Sequence, residues 1–254
     1  MTSRESSPEQ GGMPCLKMAA MNPDISQAVD AAILSRMSCR AFTGQAVPQS
    51  LLAELLQLAS MAPSGTNTQP WKVYVLSGAA RDGLVAKVCA AHDAVRDDPA
   101  RAGEFRRDSD EEVVQVPPEY QARRRANGWG LYGVLGIARG ERERMHAQHQ
   151  RNYRFFDAPV GLMFTIDRGL GRSSLVDFGM FMQTLMVSAR ARGLHSCPQG
   201  AWRHFDRVVM EHLEAPGHER LVCGMALGHA DEADVVNRYR PERVPPEQFV
   251  VWKS

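Results

Sequence analysis

The chain alternates between stretches in which apolar residues recur at helical spacing and short apolar runs of strand length. Residues from Asp24 onward carry Ile25, Val29 and Ile33 on one side, which predicts a helix ending near Arg36 or Met37. A second helix is predicted from about Pro48. Its broad apolar stripe indicates burial against a sheet or a partner, and consists of Leu51, Leu52, Leu55, Leu56 and Ala59.

Three apolar runs predict strands, at residues 71–77, 158–167 and 220–229. Helical patterns occupy 79–95, 175–193 and 204–215, and the 175–193 pattern is apolar on nearly all sides, as in a central core helix. These elements predict a mixed α/β fold with few strands and long helices.

The ends of the predicted domain follow from composition. Residues 1–22 are rich in Ser, Pro, Gly and Gln, which predicts a disordered N-terminal segment before a single domain at 23–254.

Residues 96–150 are highly charged and contain an isolated aromatic patch, so we interpret them as a helical insertion over the core. A loop-rich segment of this length more often has a function than none.

Charge and composition limit the partners. Of 254 residues, 30 are Lys or Arg and 29 are Asp or Glu, giving a formal net charge of +1, which favours a small-molecule partner over nucleic acid or a membrane surface. No apolar run reaches the length of a membrane span, and the N-terminus lacks the apolar core of a secretory signal. The five cysteines form no CxxC pair, so we expect a reducing cytoplasm.

Several common catalytic motifs are absent from the sequence: GxGxxG, the P-loop, HExxH and GxSxG. His146 and His149 lie three apart in a charged helix, but without a third ligand candidate nearby, so we expect a solvated helix face and no metal site. Cys197 is expected to be a small buried thiol rather than a nucleophile. No residue set indicates hydrolysis.

The segment RMSCR is the first candidate for ligand binding. In an extended backbone Arg36, Ser38 and Arg40 project on one side, because side chains alternate. Two guanidinium groups and one hydroxyl are well suited to a phosphate dianion. Taken alone, the same segment also fits a solvated basic helix end.

Two further segments expose backbone without adding charge. In APSGTNTQPW (62–71), Gly65 permits close backbone approach, while Ser64 and Asn67 offer short polar groups. This segment is suited to the edge of a planar heterocycle. The other segment, SCPQGAW (196–202), is a turn with exposed amides, and the tail arginines Arg240 and Arg243 follow it.

Together these segments resemble the N-terminal signature of the nitroreductase family. That signature is R-x-S-x-R, then V-P and a helix, then A-P-S-x-x-N-x-Q-P-W and a strand, and the spacing matches over residues 36–76. The sequence DAPVGLMFTID, the D-x-G-x-x-x-Q pattern of Asp177, Gly179 and Gln183, GLHSCPQG and a terminal R-x-P continue the match in family order. The resemblance runs from about Ile25 to the end, apart from residues 96–150.

The resemblance implies a three-layer α+β fold, with a central, mostly antiparallel sheet flanked by helices, and an intertwined homodimer with FMN at the subunit interface. It implies that the FMN phosphate is held by Arg36, Ser38, Arg40, Arg240 and Arg243. The flavin edge would be approached by Pro63, Ser64, Gly65 and Asn67. Pro198, Gln199 and Gly200 would lie along the ring.

The implied activity is an oxidoreductase that takes a hydride from NADPH or NADH by a ping-pong mechanism and reduces an electron-poor nitroaromatic compound or quinone. The flavin carries this chemistry, so no catalytic side chain is expected. Substrate choice would lie in the insertion, where aromatic faces and positive charge suit an aromatic acid such as a nitrobenzoate. The residues concerned are Tyr120, Arg123, Arg124, Trp129 and Tyr132.

The sequence also allows other interpretations of the insertion and of the function. The insertion can equally be a lid whose aromatic residues only pack. The same fold can carry other flavin chemistry, such as reductive dehalogenation or FMN fragmentation. A flavin-binding redox sensor without turnover is a third alternative, and steady-state oxidation of NADPH and NADH separates it from an enzyme.

Overall fold

A computed structural model describes residues 23–107 and 115–254. The predicted disordered segment 1–22 lies outside the described residues. The helices are α1 Pro23–Ser35, α2 Gln49–Ala59, α3 Gly78–Asp97, α4 Pro118–Val134, α5 Arg142–Gln150, α6 Arg172–Arg190 and α7 Asp206–His212. The strands are β1 Lys72–Ser77, β2 Val160–Asp167, β3 His195–Gln199 and β4 Glu219–Gly228.

The four strands form one antiparallel sheet in the order β1-β2-β4-β3. The central strands β2 and β4 are buried almost throughout, which explains their uninterrupted apolar sequences. β3 occupies an edge and includes residues 196–199 of the segment interpreted above as a turn. The mixed fold class and the antiparallel sheet are confirmed.

Helices cover both faces of the sheet, because side chains of a strand point alternately to opposite faces. Within β2, Met163 faces a cluster that includes Leu84 and Val88 of α3. Its neighbour Phe164 faces the opposite cluster, which includes Leu55 of α2 and Phe181 of α6. The sheet is therefore the middle of three layers.

The described part of the insertion packs on this framework. Gln150 of α5 donates its Nε2 proton to Asp93 Oδ1 of α3 at 2.9 Å, and Asn127 of α4 accepts a hydrogen bond from the Tyr239 hydroxyl at 3.4 Å. α3 itself continues to Asp97, past residue 96 at which the predicted insertion starts. The single domain at 23–254 stays a prediction. None of the helices in the described ranges is long and apolar enough to cross a membrane.

Candidate functional site

The segment Arg36–Arg40 runs along the outer edge of β3. Ser38 forms a parallel bridge with Ser196, and the Cys39 amide donates to the Ser196 carbonyl at 3.1 Å. Cys39 is completely buried, so the residues before and after it in the alternation face the other way. The two segments RMSCR and SCPQG are therefore neighbours, although about 160 positions separate them in the sequence.

Arg36, Ser38 and Arg40 line one cavity, here called the arginine cavity, as the extended interpretation predicted. Its volume is about 560 Å³, within the usual range for small-molecule sites. The remaining lining residues come from α1, the Arg36–Arg40 segment, α4, α6 and the C-terminal arm: Ile33, Leu34, Met37, Asn127, Gln183, Tyr239, Arg240, Pro241 and Arg243.

Four guanidinium groups line this cavity, and their recorded hydrogen bonds go to backbone carbonyls. Arg40 Nη1 donates to the Ser38 carbonyl at 3.2 Å, Arg240 Nη1 to the Asn237 carbonyl at 2.6 Å and Arg243 Nη1 to the Pro241 carbonyl at 2.9 Å. Within the described ranges, none of the four, Arg36 included, forms an ion pair with a carboxylate. The cavity therefore concentrates positive charge that an anion can neutralise.

Asn237 fixes the Arg36–Arg40 segment to the C-terminal arm, and sequence reasoning missed it. Its Oδ1 accepts from the Arg40 amide at 2.8 Å, while its Nδ2 donates to the carbonyls of Ala41 at 2.7 Å and Asp231 at 2.9 Å. The side chain is buried. An asparagine in a polar tail carries no sequence signal of this role, since Arg40 lies 197 positions earlier.

Asn127 and Tyr239 are two further lining residues that the sequence did not single out. Tyr239 lies so close to α4 that a Cβ atom at Gly130 would stand 2.7 Å from the Tyr239 hydroxyl oxygen. Gly130 therefore allows the arm to pack against α4. This glycine lies within the aromatic patch of residues 128–136. The sequence indicated that the patch could pack against the protein, but not that Tyr239 is its partner.

The loop 62–71 is held in an unusual backbone conformation. Thr66, Asn67 and Gln69 have φ angles of 49°, 59° and 47°, in the left-handed region that non-glycine residues rarely occupy. The loop is fixed because Asp177 Oδ2 accepts from the Gly65 amide at 3.2 Å and Ser64 Oγ accepts from the Gln69 amide at 3.0 Å. Such strain, when held by several contacts, is typical of functional segments.

The exposed residues Pro63, Gly65 and Asn67 are not among those that line the arginine cavity. Asp177, which holds the loop, and Gln183, which lines the cavity, both belong to α6. They are six residues apart, which corresponds to about 9 Å along a helix. Within a single chain, the loop and the cavity therefore contact α6 at nearby positions, but the loop does not line the cavity.

Of the predicted residues in the 198–200 turn, only Pro198 and Gly200 are exposed. The Gln199 side chain is buried; its Nε2 donates to the Asn152 carbonyl at 2.6 Å and its Oε1 accepts from Trp202 Nε1 at 3.2 Å. A ligand can thus reach Pro198 and Gly200, but not the side-chain amide of Gln199. Burial raises the pKa of the Cys197 thiol to about 11, so it stays protonated, as expected for a buried thiol.

The aromatic residues of α4 are partly paired with arginines. Arg123 lies over the Tyr120 ring at 4.5 Å, and Arg139 over Trp129 at 4.7 Å, with Tyr132 against Trp129 at 5.8 Å. These contacts support packing, while Tyr120 and Trp129 keep exposed faces.

Arg123 and Arg124 point to different grooves. Arg123 shares a groove of about 570 Å³ with Asn127 and residues 239–243, next to the arginine cavity. Arg124 lies in a separate groove of about 490 Å³ with Gln121 and Arg125. Arg123 is therefore better placed than Arg124 to reach a ligand of the cavity.

The surroundings of His146 differ from the sequence expectation. His92 and Asp93 of α3 lie beside it, and the three offer ligand atoms within 4.8 Å of one another. The statement that no third ligand candidate lies nearby was therefore wrong, because the missing residues come from another helix.

Comparisons with known proteins agree with this architecture. The model of the nitroreductase family matches residues 33–229. A 4-nitrobenzoate reductase of Pseudomonas putida is 36% identical over 224 residues, covering 87% of this chain and 93% of its own length. A 4-nitrobenzoate reductase of Nocardioides sp. is 35% identical and covers 96% of both chains.

A solved structure extends the comparison. The FMN-dependent nitroreductase NfnB from Mycobacterium smegmatis, in complex with NADPH, superimposes with a TM-score of 0.84 at 31% identity, covering 91% of this chain and 100% of that one. The chain belongs to the nitroreductase family.

Proposed function

We propose that this protein is an FMN-dependent oxidoreductase that takes a hydride from NADPH or NADH and reduces nitroaromatic compounds. The observation that carries the proposal is the arginine cavity, with four guanidinium groups, the Ser38 hydroxyl and no carboxylate partner in the described ranges. A phosphate dianion is the ligand that this donor set fits, because it neutralises charge and accepts several hydrogen bonds. Arg36, Ser38, Arg40, Arg240 and Arg243 would hold it.

The FMN group, when bound, supplies two-electron transfer between a nicotinamide and an electron-poor substrate. The role of the chain would be to bind and orient FMN and to shape the substrate site. Pro63, Ser64, Gly65 and Asn67 present short polar groups and backbone on a rigid loop, and Pro198 and Gly200 present exposed backbone. Protons for the reduced product can come from water, so no acidic or basic side chain is required.

We further propose that two copies of the chain assemble, with the loop 62–71 of one copy completing the arginine cavity of the other. Large apolar side chains are exposed on α1, including Leu34 at 83% and Ile25 at 61%. Exposed apolar surface of this kind favours a protein interface. Leu34 also lines the arginine cavity, so such an interface adjoins the cofactor site. Val176 of α6 and Trp252 of the tail are further large apolar side chains exposed to solvent.

An aromatic acid is the substrate class that we propose. Two relatives bear the name 4-nitrobenzoate reductase. Arg123, in the groove next to the arginine cavity, offers a guanidinium group for a carboxylate, and the exposed faces of Tyr120 and Trp129 suit an aromatic ring. We propose a cytoplasmic location, which the free thiols of Cys39, Cys89, Cys197 and Cys223 support.

The test combines cofactor content with turnover. The purified protein should carry about one FMN per chain and oxidise NADPH or NADH in the presence of 4-nitrobenzoate, nitrobenzene or a quinone. Parallel double-reciprocal plots are expected for a ping-pong mechanism. FMN retention without oxidation of either nucleotide would indicate a redox sensor instead, and absence of FMN would contradict the cavity assignment.

Light scattering on the same preparation tests the assembly. A dimer that dissociates when Leu34→Asp is introduced supports the proposed interface. A monomer that still binds one FMN per chain contradicts it.

A further inference from the structure

A second group of polar side chains lies between α3 and α5, away from the arginine cavity. His92 and Asp93 come from α3, and His146 and His149 come from α5; these four are called the histidine–aspartate cluster. None of them lines the arginine cavity. Metal binding by this cluster would not require FMN.

Three members converge. His146 Nε2 lies 2.7 Å from Asp93 Oδ1, and His92, Asp93 and His146 each offer one ligand atom within 4.8 Å of the other two. Two imidazoles and one carboxylate are a ligand set that suits Zn²⁺. In such sites the ligand atoms are about 2.0–2.2 Å from the metal, so ligand atoms this close together can share one ion after small side-chain rotations.

The hydrogen bonding of His92 favours one nitrogen as the ligand. Its Nε2 lies 3.1 Å from His149 Nδ1, and its Nδ1 is buried without a hydrogen-bond partner among the described residues. When His92 donates its Nε2 proton to His149, the Nδ1 lone pair is left free. A ligating histidine typically donates its other ring N–H in this way.

Asp93 is oriented from a second side. Gln150 donates its Nε2 proton to Asp93 Oδ1 at 2.9 Å, which holds the carboxylate toward the two imidazoles. The Asp93 side chain keeps 45% of its surface exposed, whereas His146 keeps 14%. An ion therefore has a route from solvent on the carboxylate side, and the imidazoles form the inner wall.

We propose that His92 Nδ1, His146 Nε2 and the Asp93 carboxylate bind one Zn²⁺ ion, with water as the fourth ligand. The ion would connect α5, in the insertion, to α3, in the layer packed on the sheet. The rings of His92 and His146 are stacked at 4.2 Å with an interplanar angle of 11°. Because a metal lies near the plane of each ligating imidazole, the two rings must tilt apart when it binds.

The test uses full-length protein treated with a chelator and then titrated with Zn²⁺ by calorimetry, with Co²⁺ as a spectroscopic probe. One Zn²⁺ should bind per chain, the thermal midpoint should rise with Zn²⁺, and Co²⁺ should give the absorption of a four-coordinate site. His146→Gln and Asp93→Asn should each weaken Zn²⁺ binding by about tenfold or more. Their FMN content should equal that of the parent protein.

The matched control is the exposed pair of His218 and Asp167, which is separated by 4.0 Å. His218→Gln should leave Zn²⁺ binding unchanged. His92→Gln serves as a third ligand variant, and circular dichroism verifies that each variant folds. Equal Zn²⁺ affinity in folded His146→Gln, Asp93→Asn and the parent protein would overturn the proposal, as would the absence of stoichiometric binding to the parent.

Discussion

The arginine cavity and the surroundings of Glu219 differ in whether their charged side chains have partners of opposite charge. Four arginines share the cavity without a carboxylate in the described ranges, whereas the buried carboxylate of Glu219 is surrounded by hydrogen-bond donors. Lys72 forms an ion pair with it, the Thr165 hydroxyl donates at 2.7 Å and the Tyr74 hydroxyl at 2.8 Å. The first arrangement leaves charge available to a ligand, while the second satisfies charge within the protein.

The two regions therefore contribute to different properties: Glu219 to the stability of the fold, and the arginines to ligand binding. Burial opposes ionisation of Glu219, but the hydrogen bonds from Lys72, Thr165 and Tyr74 outweigh it and lower the pKa of this carboxyl. Glu219 therefore contributes to the folded state without any ligand. The arginines repel one another until an anion arrives, so their contribution appears on binding.

The largest expected effect is on the free energy of unfolding of Glu219→Ala. This change leaves the buried Thr165 hydroxyl without its acceptor and should lower the free energy of unfolding by about 3 kcal/mol. Denaturant titration measures it. FMN content should not change, because Glu219 is not in the arginine cavity. Glu211→Ala, at an exposed position of α7, is the control and should have little effect.

Arg36→Ala and Arg40→Ala should show the reverse behaviour. Each should weaken FMN binding by about 1.5–3 kcal/mol, the scale of a hydrogen bond to a charged group. Equilibrium dialysis of FMN measures the change. The FMN-free protein should unfold at the same denaturant concentration or a higher one, because repulsion among like charges is reduced.

Arg207→Ala, on an exposed position of α7, is the matched arginine control and should bind FMN normally. Full FMN retention by the Arg36→Ala, Arg40→Ala double variant would refute the phosphate assignment.

Asn237→Ala should combine both kinds of effect, since Asn237 is buried and also positions Arg40. Loss of its side-chain amide removes the acceptor of the Arg40 amide and the donor to the Asp231 carbonyl, whereas the Ala41 carbonyl still accepts from the Asp231 amide. We expect a loss of about 1–2 kcal/mol in the free energy of unfolding, together with weaker FMN binding. A change in only one of the two measurements would contradict the role of Asn237 as the connection between arm and cavity.

The smallest expected effect is on pH dependence. Because the folded pKa of Glu219 is lowered, its contribution is present above the ordinary glutamate value of about 4.3 and is lost as the pH falls through the folded value. Unfolding of Glu219→Gln should therefore depend less on pH in this acidic range than unfolding of the parent protein. Denaturant midpoints measured between neutral and acidic pH provide the comparison.

Features that repeat along the chain were predictable from sequence. Helix α2 and strands β2 and β4 follow from apolar periodicity, and the common orientation of Arg36, Ser38 and Arg40 follows from strand alternation. Motif spacing then led to the family, which the comparisons confirm.

Features that depend on long-range contacts were not predictable. Nothing near Asn237 indicates that it holds Arg40, and nothing near His146 indicates Asp93, 53 positions earlier. The committed side chain of Gln199 was missed for the same reason, because its partners Asn152 and Trp202 are fixed only by the packed core. Periodicity predicts which face of an element is buried, but not which side chain it meets.

The arginine cavity is assembled from both ends of the described chain, with Arg36 and Arg40 near one end and Arg240 and Arg243 near the other. During synthesis, a nascent chain has no complete set of guanidinium groups until residue 243 has left the ribosome. All four groups face one cavity only after the C-terminal arm has packed against the Arg36–Arg40 segment, which Asn237 fixes through its hydrogen bond to the Arg40 amide.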